Sequence, residues 1–260
     1  MPRIEAAVRS HPGMIRKNNE DNFFLNGVFM RAGESRVDSL YKITCKDKRQ
    51  LYAVCDGMGG MNSGEKASLL AVTGLDKLLS AGVRRLPLLL QESIDIISGM
   101  LLSPSDGGAP SGCTLAAVYF DGSMTRVAHL GDSRVYFKRG NLALTQVTED
   151  HSQAVWYSKQ GVLSPEEAEI HPSRNVLCKY IGAPDQNGRT PDISDAMRSK
   201  RGDIFLICSD GLSNMMSVFE MDIEISSRRR SADICQSLVS LALERGGEDN
   251  ITALLIQLQK

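Results

Sequence analysis

Apolar and polar residues follow two rhythms in the first part of this chain. Short apolar segments at 3–9, 23–25 and 51–55, each bounded by turn formers, predict buried strands. Apolar residues then recur at helical spacing over 63–81 and again over 86–102, which predicts two amphipathic helices in succession. The pattern therefore predicts strands first and a helix pair after them.

After residue 113 the period of the pattern shortens to that of strands. Four apolar runs predict an antiparallel meander: CTLAAVYF, MTRVAHL, VYFK and LALTQV, separated by Asp121-Gly122, Gly131-Asp132-Ser133 and Arg139-Gly140. Residues 150–185 break this rhythm with two short helical segments, the second starting at Ser164-Pro165-Glu166, and are typical of an inserted flap. The polar, irregular residues 30–50 predict a smaller excursion, a hairpin, before the helix pair.

The last part of the chain returns to strand, helix and strand. DIFLICS at 203–209 predicts a buried strand, 232–244 a helix capped by Ser231, and ITALLIQL at 251–258 a final strand. This order of elements predicts an α+β fold in which two antiparallel sheets carry helices on their outer faces. No internal repeat or low-complexity linker interrupts the sequence, so we expect one domain over 1–260.

Composition agrees with a globular protein that has a full core. The chain has 260 residues, of which 42% are hydrophobic and 23% charged. Its net charge is −1, and the cluster Arg228-Arg229-Arg230 is too short for a nucleic-acid surface, so it predicts a solvated loop. We therefore expect no nucleic-acid partner.

Six cysteines are scattered without C-x-x-C spacing, at positions 45, 55, 113, 178, 208 and 235. Thiols in apolar runs behave as small buried hydrophobic groups, so we expect a reducing compartment and neither a zinc nor a disulfide framework. The start, MPRIEAAVRS, lacks an apolar signal-peptide core, and Gln91, Glu92 and Asp95 interrupt the apolar helix at 86–102. A cytoplasmic protein without a membrane partner is expected.

Carboxylates stand where apolar strands end. Three strands end in an acid beside a glycine, at Asp56-Gly57, Gly131-Asp132 and Asp210-Gly211, while Asp249 precedes the final strand and Glu20-Asp21 an early one. Acids gathered at one edge of a sheet repel one another unless cations neutralise them. Oxygen ligands favour Mg²⁺, Mn²⁺ or Ca²⁺, and two such ions about 3.5–4 Å apart could activate a bridging water. The spacing alone leaves ordinary turns open, and we interpret Asp106-Gly107 and Asp121-Gly122 as such turns.

The order of these motifs resembles that of the metal-dependent serine/threonine protein phosphatases of type 2C, in their bacterial stand-alone form. The resemblance covers nearly the whole chain and rests on eight motifs: Arg16-x-x-x-Glu20-Asp21, DGMGG at 56–60, Gly64-Glu65 with Ala67, Gly131-Asp132-Ser133-Arg134, Thr148-x-Asp150-His151-Ser152, HPSRNVL at 171–177, Ser209-Asp210-Gly211-Leu212 and Asp249-Asn250. It implies a four-layer α-β-β-α sandwich, formed by one catalytic domain over 1–260 with a flap subdomain at about 150–185 inserted in it.

The resemblance also implies a metal centre of two Mn²⁺ or Mg²⁺ ions with a weaker third. Asp56 would bridge the pair, with the carbonyl of Gly57 on one ion. Asp210 and Asp249 would complete the ligands of the pair, and Asp132 would share the third ion with Asp210.

Three further residues gain roles from the resemblance. Glu20 and Asp21 would orient metal-bound waters, and Arg16 would grip the substrate phosphate through two of its nitrogens. The implied reaction is hydrolysis of phosphoserine and phosphothreonine in proteins, by in-line attack of a metal-bound hydroxide without a phosphoenzyme.

The chain departs from the family where a proton donor is expected. Many members carry a histidine directly after the Asp-Gly or the Gly-Gly, but this sequence has Met58 and Met61, which cannot protonate a leaving alkoxide. Of the four histidines only His151 stands near a motif that makes it worth testing, and a structural role is equally open for it. His11, His129 and His171 are interpreted as structural.

The expected partner is a phosphoprotein, together with a cognate serine/threonine kinase or the targets of that kinase, and the expected state is a monomer. Two other hypotheses stay open. A pseudophosphatase would keep the fold as a binding module, although the retained Arg16, Asp56, Asp210 and Asp249 weigh against it. The second open hypothesis is a metal-dependent hydrolase of a small phosphoester.

Overall fold

Two antiparallel sheets pack face to face at the centre of this computed structural model, which describes residues 3–34, 38–59, 63–81, 86–103, 110–227 and 229–259. The strands are β1 Ile4–His11, β2 Asn22–Leu25, β3 Ser39–Cys45, β4 Arg49–Cys55, β5 Gly57–Met58, β6 Gly112–Cys113, β7 Leu115–Asp121, β8 Met124–Leu130, β9 Arg134–Arg139, β10 Thr145–Gln146, β11 Asp192–Ile193, β12 Met197–Arg198, β13 Asp203–Cys208 and β14 Ile251–Leu258. The helices are α1 Ser63–Ser80, α2 Leu86–Leu102, α3 Gln153–Lys159, α4 Pro165–Ile170, α5 Asp210–Ser213, α6 Val218–Ser226 and α7 Ser231–Glu244, with a 3₁₀ turn at Pro172–Asn175.

The first sheet has the strand order β10-β9-β13-β14-β1-β3. The second has the order β11-β8-β7-β4-β2, with β12 also paired to β8, and β5 and β6 form a small separate ladder. Every one of these strand pairs is antiparallel.

Three apolar cores separate four layers. The central core lies between the sheets and contains the large buried rings of Phe23, Tyr52, Phe120 and Phe205. A second core lies between the outer face of the second sheet and α1 and α2, and a third between the first sheet and α5, α6 and α7. Strands that face apolar residues on both sides explain why β4 and β14 are nearly continuous apolar runs in the sequence. The predicted α-β-β-α order is confirmed.

The strands and helices predicted in the first and last parts of the chain are found within a few residues of their expected bounds. One detail at the end is wrong. Ser231 does not cap α7 but is its first residue, and its hydroxyl lies within hydrogen-bond distance of two acceptors, Glu5 Oε1 at 3.1 Å and Gln257 Oε1 at 3.0 Å. The serine ties the helix to the first sheet because β1 and β14 present those side chains beside it.

The predicted four-stranded meander is wrong after its second strand. β7 and β8 form a hairpin through Asp121-Gly122, as expected, but β8 belongs to the second sheet and β9 to the first. The chain crosses between the sheets at residues 131–133, where Gly131 has φ +97° and a Cβ on it would lie 2.6 Å from the side chain of Thr114. Only two residues of the fourth run, Thr145 and Gln146, form a strand.

The hairpin predicted for residues 30–50 is also wrong. β3 pairs with β1 at the edge of the first sheet, whereas β4 lies between β2 and β7 in the second. The side chains of β3 alternate between exposed and partly buried, as expected of an edge strand. The excursion therefore covers an otherwise open edge of β1 instead of pairing with the strand that follows it.

The cysteines and the long helices were also subjects of prediction. The six cysteines are free, and Cys55, Cys113 and Cys208 are buried, as predicted. Among the described residues no helix is both long and apolar enough to cross a membrane. Gly60, Met61, Asp106-Gly107 and Arg228 lie outside the described residues.

Candidate metal centre

Strand registers bring the predicted acids to one place. Cys208 at the end of β13 lies opposite Ala253 near the start of β14, so Asp210 and Asp249 emerge side by side. In the second sheet Cys55 lies opposite Asn22, which sets Asp56 beside the Glu20-Asp21 pair. Neighbouring antiparallel strands place the end of one beside the start of the next, and this geometry gathers residues distant in sequence.

Asp56, Asp132, Asp210 and Asp249 line one cavity of about 310 Å³, together with Arg16, Glu20 and Gly57. The sequence predicted each of these seven residues for the site. Asp21 does not line the cavity; it lies beneath it, where its side chain is almost completely buried.

The carboxyl groups of this cavity repel one another when they are ionised, which disfavours their charged forms. Burial, followed by repulsion from the neighbouring acids, raises the pKa of Asp132 to about 7 and that of Asp56 well above its usual range. Burial and the nearby Asp249 also raise the pKa of Asp210, although a hydrogen bond with the Asp56 carboxyl opposes this shift. A cluster of this kind is more stable when cations neutralise it.

Asp21 supports the cluster from below. Its Oδ2 oxygen accepts hydrogen bonds from the Ser209 and Thr252 hydroxyls, each at 2.7 Å. Its buried Oδ1 oxygen has no hydrogen-bond partner in the described part of the chain. Burial raises the pKa of the Asp21 carboxyl to about 7. A buried acceptor without a donor is costly, and an ordered water held by a cation would satisfy it. The all-oxygen donor set and this oxygen both fit Mg²⁺ or Mn²⁺.

Glycine at two positions allows the loops to approach. A Cβ on Gly57 would lie 2.1 Å from the carbonyl oxygen of Gly64, and one on Gly64 would lie 2.6 Å from Glu20 Oε2. The amide of Gly57 donates to the Glu20 carbonyl at 3.1 Å. The first turn of α1 is thereby packed directly against the loop that carries Glu20, whose pKa is raised by burial.

Arg16 reaches the cavity from the loop between β1 and β2. Its Nη2 donates to Asp249 Oδ2 at 2.8 Å, and its side chain is 54% exposed. The loop is held at its base, because the amide of Met14 donates to the Gly247 carbonyl at 2.7 Å. The guanidinium therefore lies at the open rim of the cavity, where it can contact both the carboxylates and an incoming anion.

No histidine lines the cavity, although all four lie in the described part of the chain. Met58 lines it, as the sequence led us to expect, and Met61 lies outside the described residues. His151 is behind the loop that carries Asp132, and both of its ring nitrogens have protein partners: the Gly131 amide and Asp192. The structure therefore gives it no path to a leaving group.

Sequence reasoning missed four residues that line the cavity: Thr114, Asn175, Leu177 and Asn250. Thr114 Oγ1 accepts from the Asp56 amide at 2.9 Å and lies 2.6 Å from Ser133 Oγ, so it links two of the acid-bearing loops. Asn250 accepts from the Glu20 amide at 2.7 Å. Asn250 stood in a quoted motif without a role, whereas nothing in the spacing marked Thr114.

A larger groove of about 670 Å³ continues from the cavity. It shares Asp132, Asn175 and Asp210 with the cavity and runs between α3 and α4 on one side and the start of α6 on the other. We call residues 150–185, which contain α3, α4 and the 3₁₀ turn, the flap segment. The groove is much larger than a phosphoryl group needs, and it offers room for chain on both sides of one.

The raised pKa values predict how the metal-free protein responds to pH. An acid whose folded pKa exceeds its unfolded value of 3.8 costs no stability below that value, and the cost grows as pH rises towards the folded pKa. Metal-free Asp56→Asn should therefore be more stable than the wild type, by a margin that grows from about pH 4 to 7. Buried His129 and His151 act in the opposite direction in both proteins, so the difference in melting temperature is the quantity to measure. A margin that does not change with pH would contradict the proposed repulsion.

The chain is similar to known proteins over almost its whole length. A family model described as "Protein phosphatase 2C" matches residues 30–255. The "Serine/threonine phosphatase stp" of Listeria monocytogenes serotype 4b is 32% identical over 98% of this chain and 96% of its own length. The solved structure of the serine/threonine phosphatase of S. agalactiae has a TM-score of 0.80 and 30% identity, covering 98% of this chain and all of that one. A structure of the PstP catalytic domain with two manganese ions has a TM-score of 0.77 and 26% identity, covering 99% of this chain and all of that one.

Proposed function

Because this chain belongs to the protein phosphatase 2C family, we propose that the carboxylate cavity is the catalytic centre of a metal-dependent serine/threonine protein phosphatase. The observation that supports this assignment is the convergence of Asp56, Asp132, Asp210 and Asp249 on one cavity that also contains Arg16. We include in the proposal a single catalytic domain over 1–260 with the flap segment inserted in it.

The residues have separate roles in this proposal. Asp56, Asp210 and Asp249, with the Gly57 carbonyl, would hold two Mn²⁺ or Mg²⁺ ions, and Asp132 with Asp210 would hold a weaker third. When bound, the ions would supply an activated water for in-line attack on phosphorus and neutralise charge on the phosphoryl oxygens.

The chain's own groups would orient the reaction. Arg16 at the rim would bind two phosphoryl oxygens, and its planar guanidinium would hold the phosphorus in line with the attacking water. Glu20 at the cavity wall and Asp21 beneath it would accept hydrogen bonds from waters in the centre. The Asp21 carboxyl is held by the Ser209 and Thr252 hydroxyls, and the Glu20 carboxyl packs against Gly64 at the start of α1.

The partner in this proposal is a phosphoprotein, opposed by a serine/threonine kinase that acts on the same target. The groove beside the flap segment would accommodate the polypeptide that flanks the phosphorylated residue. We propose that the protein acts as a monomer, since the groove and the cavity are formed by one chain.

A phosphothreonine peptide tests the proposed function directly. We expect the wild type to release phosphate from it in Mn²⁺, to lose this activity in excess EDTA, and to regain it when Mn²⁺ is restored. Activity that persists after complete chelation would overturn the metal-dependent assignment.

Met58 predicts an unusual dependence on the leaving group. No histidine is among the described residues of the cavity wall, so kcat/KM should fall steeply as the pKa of the leaving alcohol rises, and aryl phosphates should react much faster than alkyl phosphates. Met58→His should increase turnover of phosphothreonine and leave aryl turnover nearly unchanged. The measurement is a series of phosphate esters of graded leaving-group pKa in both proteins. A flat series in the wild type would show that another group supplies the proton.

A further inference from the structure

Three side chains behind the metal cavity form a cluster that the proposed reaction does not use. The rings of His129 and His151 stack at 4.4 Å with an angle of 11° between their planes. His151 Nε2 lies 3.2 Å from Asp192 Oδ2, and Lys179 donates to the other oxygen of Asp192 at 2.6 Å. His129 Nε2 lies 2.9 Å from the Glu149 carbonyl oxygen.

The two histidines and Asp192 place their ligand atoms within 4.8 Å of one another, which is close enough to suggest a metal site. The chemistry argues against it. The Gly131 N–H points at His151 Nδ1 at 3.1 Å, which fixes the tautomer that carries its proton on Nε2, the atom a metal would need. Two nearly parallel stacked rings also cannot both aim an in-plane lone pair at one ion. Burial and the neighbouring His129 lower the pKa of His151 to about 4, so the ring is neutral and donates to Asp192.

His151 instead joins the flap segment to the loop that carries Asp132. Its amide donates to the Gly131 carbonyl at 2.9 Å, and its ring accepts from the Gly131 amide, so Gly131 is held from both sides. Its carbonyl accepts from the Cys178 amide at 2.7 Å, next to a bridge between Ser152 and Leu177. The first and last parts of the flap segment therefore meet at this residue.

The loop held in this way has little freedom elsewhere. Gly131 is in the left-handed region, with no space for a Cβ because Thr114 packs against it. The next residue is Asp132, whose carboxylate enters the cavity. Asp192 on β11 lies opposite His129 on β8, so the cluster also fixes the strand that leads into the loop.

We propose that His151 is a positioning residue that couples the flap segment to Asp132, and thereby sets the affinity of the weaker metal site. The inference rests on the proposed function, because it takes Asp132 as a ligand. Loss of the His151 contacts should lower the affinity for the third ion only. The affinity for the pair of ions held by Asp56, Asp210 and Asp249 should not change. Groups that orient ligands in this way typically change metal affinity by about 10–100-fold.

The test titrates metal-free protein with Mn²⁺. The electron paramagnetic resonance signal measures the free ion, and the number of bound ions is the difference from the total added. His151→Leu removes every ring contact, and it should weaken the lowest-affinity class at least about tenfold with the tight pair unchanged. His151→Asn places an amide oxygen where Nδ1 lies, so it can still accept from Gly131. It should keep most of the wild-type affinity even though it loses the contact with Asp192.

His171→Asn is the matched control, because His171 lies in the flap segment and caps the 3₁₀ turn through Ser173 without contacting Gly131. It should bind Mn²⁺ like the wild type. In parallel, kcat for a phosphothreonine peptide at limiting Mn²⁺ should fall in His151→Leu and recover as Mn²⁺ is raised.

Three results would overturn the inference: wild-type affinity for every ion in His151→Leu, equal losses in the leucine and asparagine variants, or an equal loss in His171→Asn. A wild type that binds no Mn²⁺ at all would instead refute the proposed function. Melting temperatures of the metal-free variants show whether each one is folded, and a folded His151→Asn keeps the comparison decisive if the leucine variant is not.

Discussion

Replacing Asp210 with asparagine should lower kcat/KM for a phosphothreonine peptide by roughly 10³-fold or more, equivalent to about 4 kcal/mol of transition-state stabilisation. Asparagine has the same shape but no charge, so the change removes an anionic ligand and leaves the start of α5 intact. Asp210 lies between Asp56 and Asp249 in the cavity and is assigned to more than one ion, which is why its effect should be among the largest. Steady-state kinetics at saturating Mn²⁺ measure the loss.

Asp121→Asn is the matched control for this prediction. Asp121 also ends an apolar strand before a glycine, but it lies in the β7–β8 hairpin and does not line the cavity. Its replacement should leave kcat/KM within about twofold of the wild type. Addition of Mn²⁺ should raise the melting temperature of the wild type and of Asp121→Asn, and should raise that of Asp210→Asn much less. Equal kinetic losses in the two variants would remove the special role of Asp210.

Replacing Arg16 with alanine should lower kcat/KM by about 10²-fold, the second largest effect that we expect. The residue is half exposed at the rim and is paired with Asp249, so its loss removes both a phosphate contact and a charge that balances the acids. Arg16→Lys should recover only part of the loss, because a point charge cannot hold two phosphoryl oxygens in a plane. Inhibition by inorganic phosphate should weaken in parallel.

The neighbouring Lys17 provides the control for Arg16. It is also exposed and carries the same charge, but it does not line the cavity. Lys17→Ala should leave kcat/KM nearly unchanged at moderate ionic strength, where exposed charges are largely screened. If Lys17→Ala were as damaging as Arg16→Ala, the effect would come from the overall field and not from a phosphate contact.

Much of the site could be predicted because its chemistry coincides with strand ends. Asp56, Asp132 and Asp210 each follow an apolar run. The change from apolar to acidic residues marks the end of each strand in the sequence. Thr114 could not be found in this way, because a hydroxyl on the single residue between β6 and β7 has no distinctive spacing. Its importance comes from the register of β7 and β8, which places it beside Gly131.

The sheet topology was less accessible than the strands. A period of two shows that β8 and β9 are strands, but it contains no information on which strand each one pairs with. The crossing at residues 131–133 depends on a glycine with positive φ and on contacts with Thr114 and Ser133. Those contacts form only when the sheets are already packed, so local sequence could not specify them.

His151 illustrates the same limit in the site. Its place in the motif Thr148-x-Asp150-His151-Ser152, at the start of the flap segment, made it the histidine most worth testing as a proton donor. In the structure both ring nitrogens are hydrogen-bonded, to Gly131 and to Asp192. These contacts suit a residue that positions the Asp132 loop and not one that donates a proton to the leaving group. Sequence indicates which groups are near a site, and hydrogen-bond partners decide what they can do.

The central claim is that the carboxylate cavity is a two-metal catalytic centre. Metal-free protein is titrated with Mn²⁺ while free Mn²⁺ is measured by electron paramagnetic resonance and phosphothreonine hydrolysis is followed in the same samples. We predict that no activity appears before two ions have bound to each chain, and that Asp56→Asn loses both the tight pair and the activity. Full activity with one ion or none, or unchanged Mn²⁺ binding in Asp56→Asn, would contradict it.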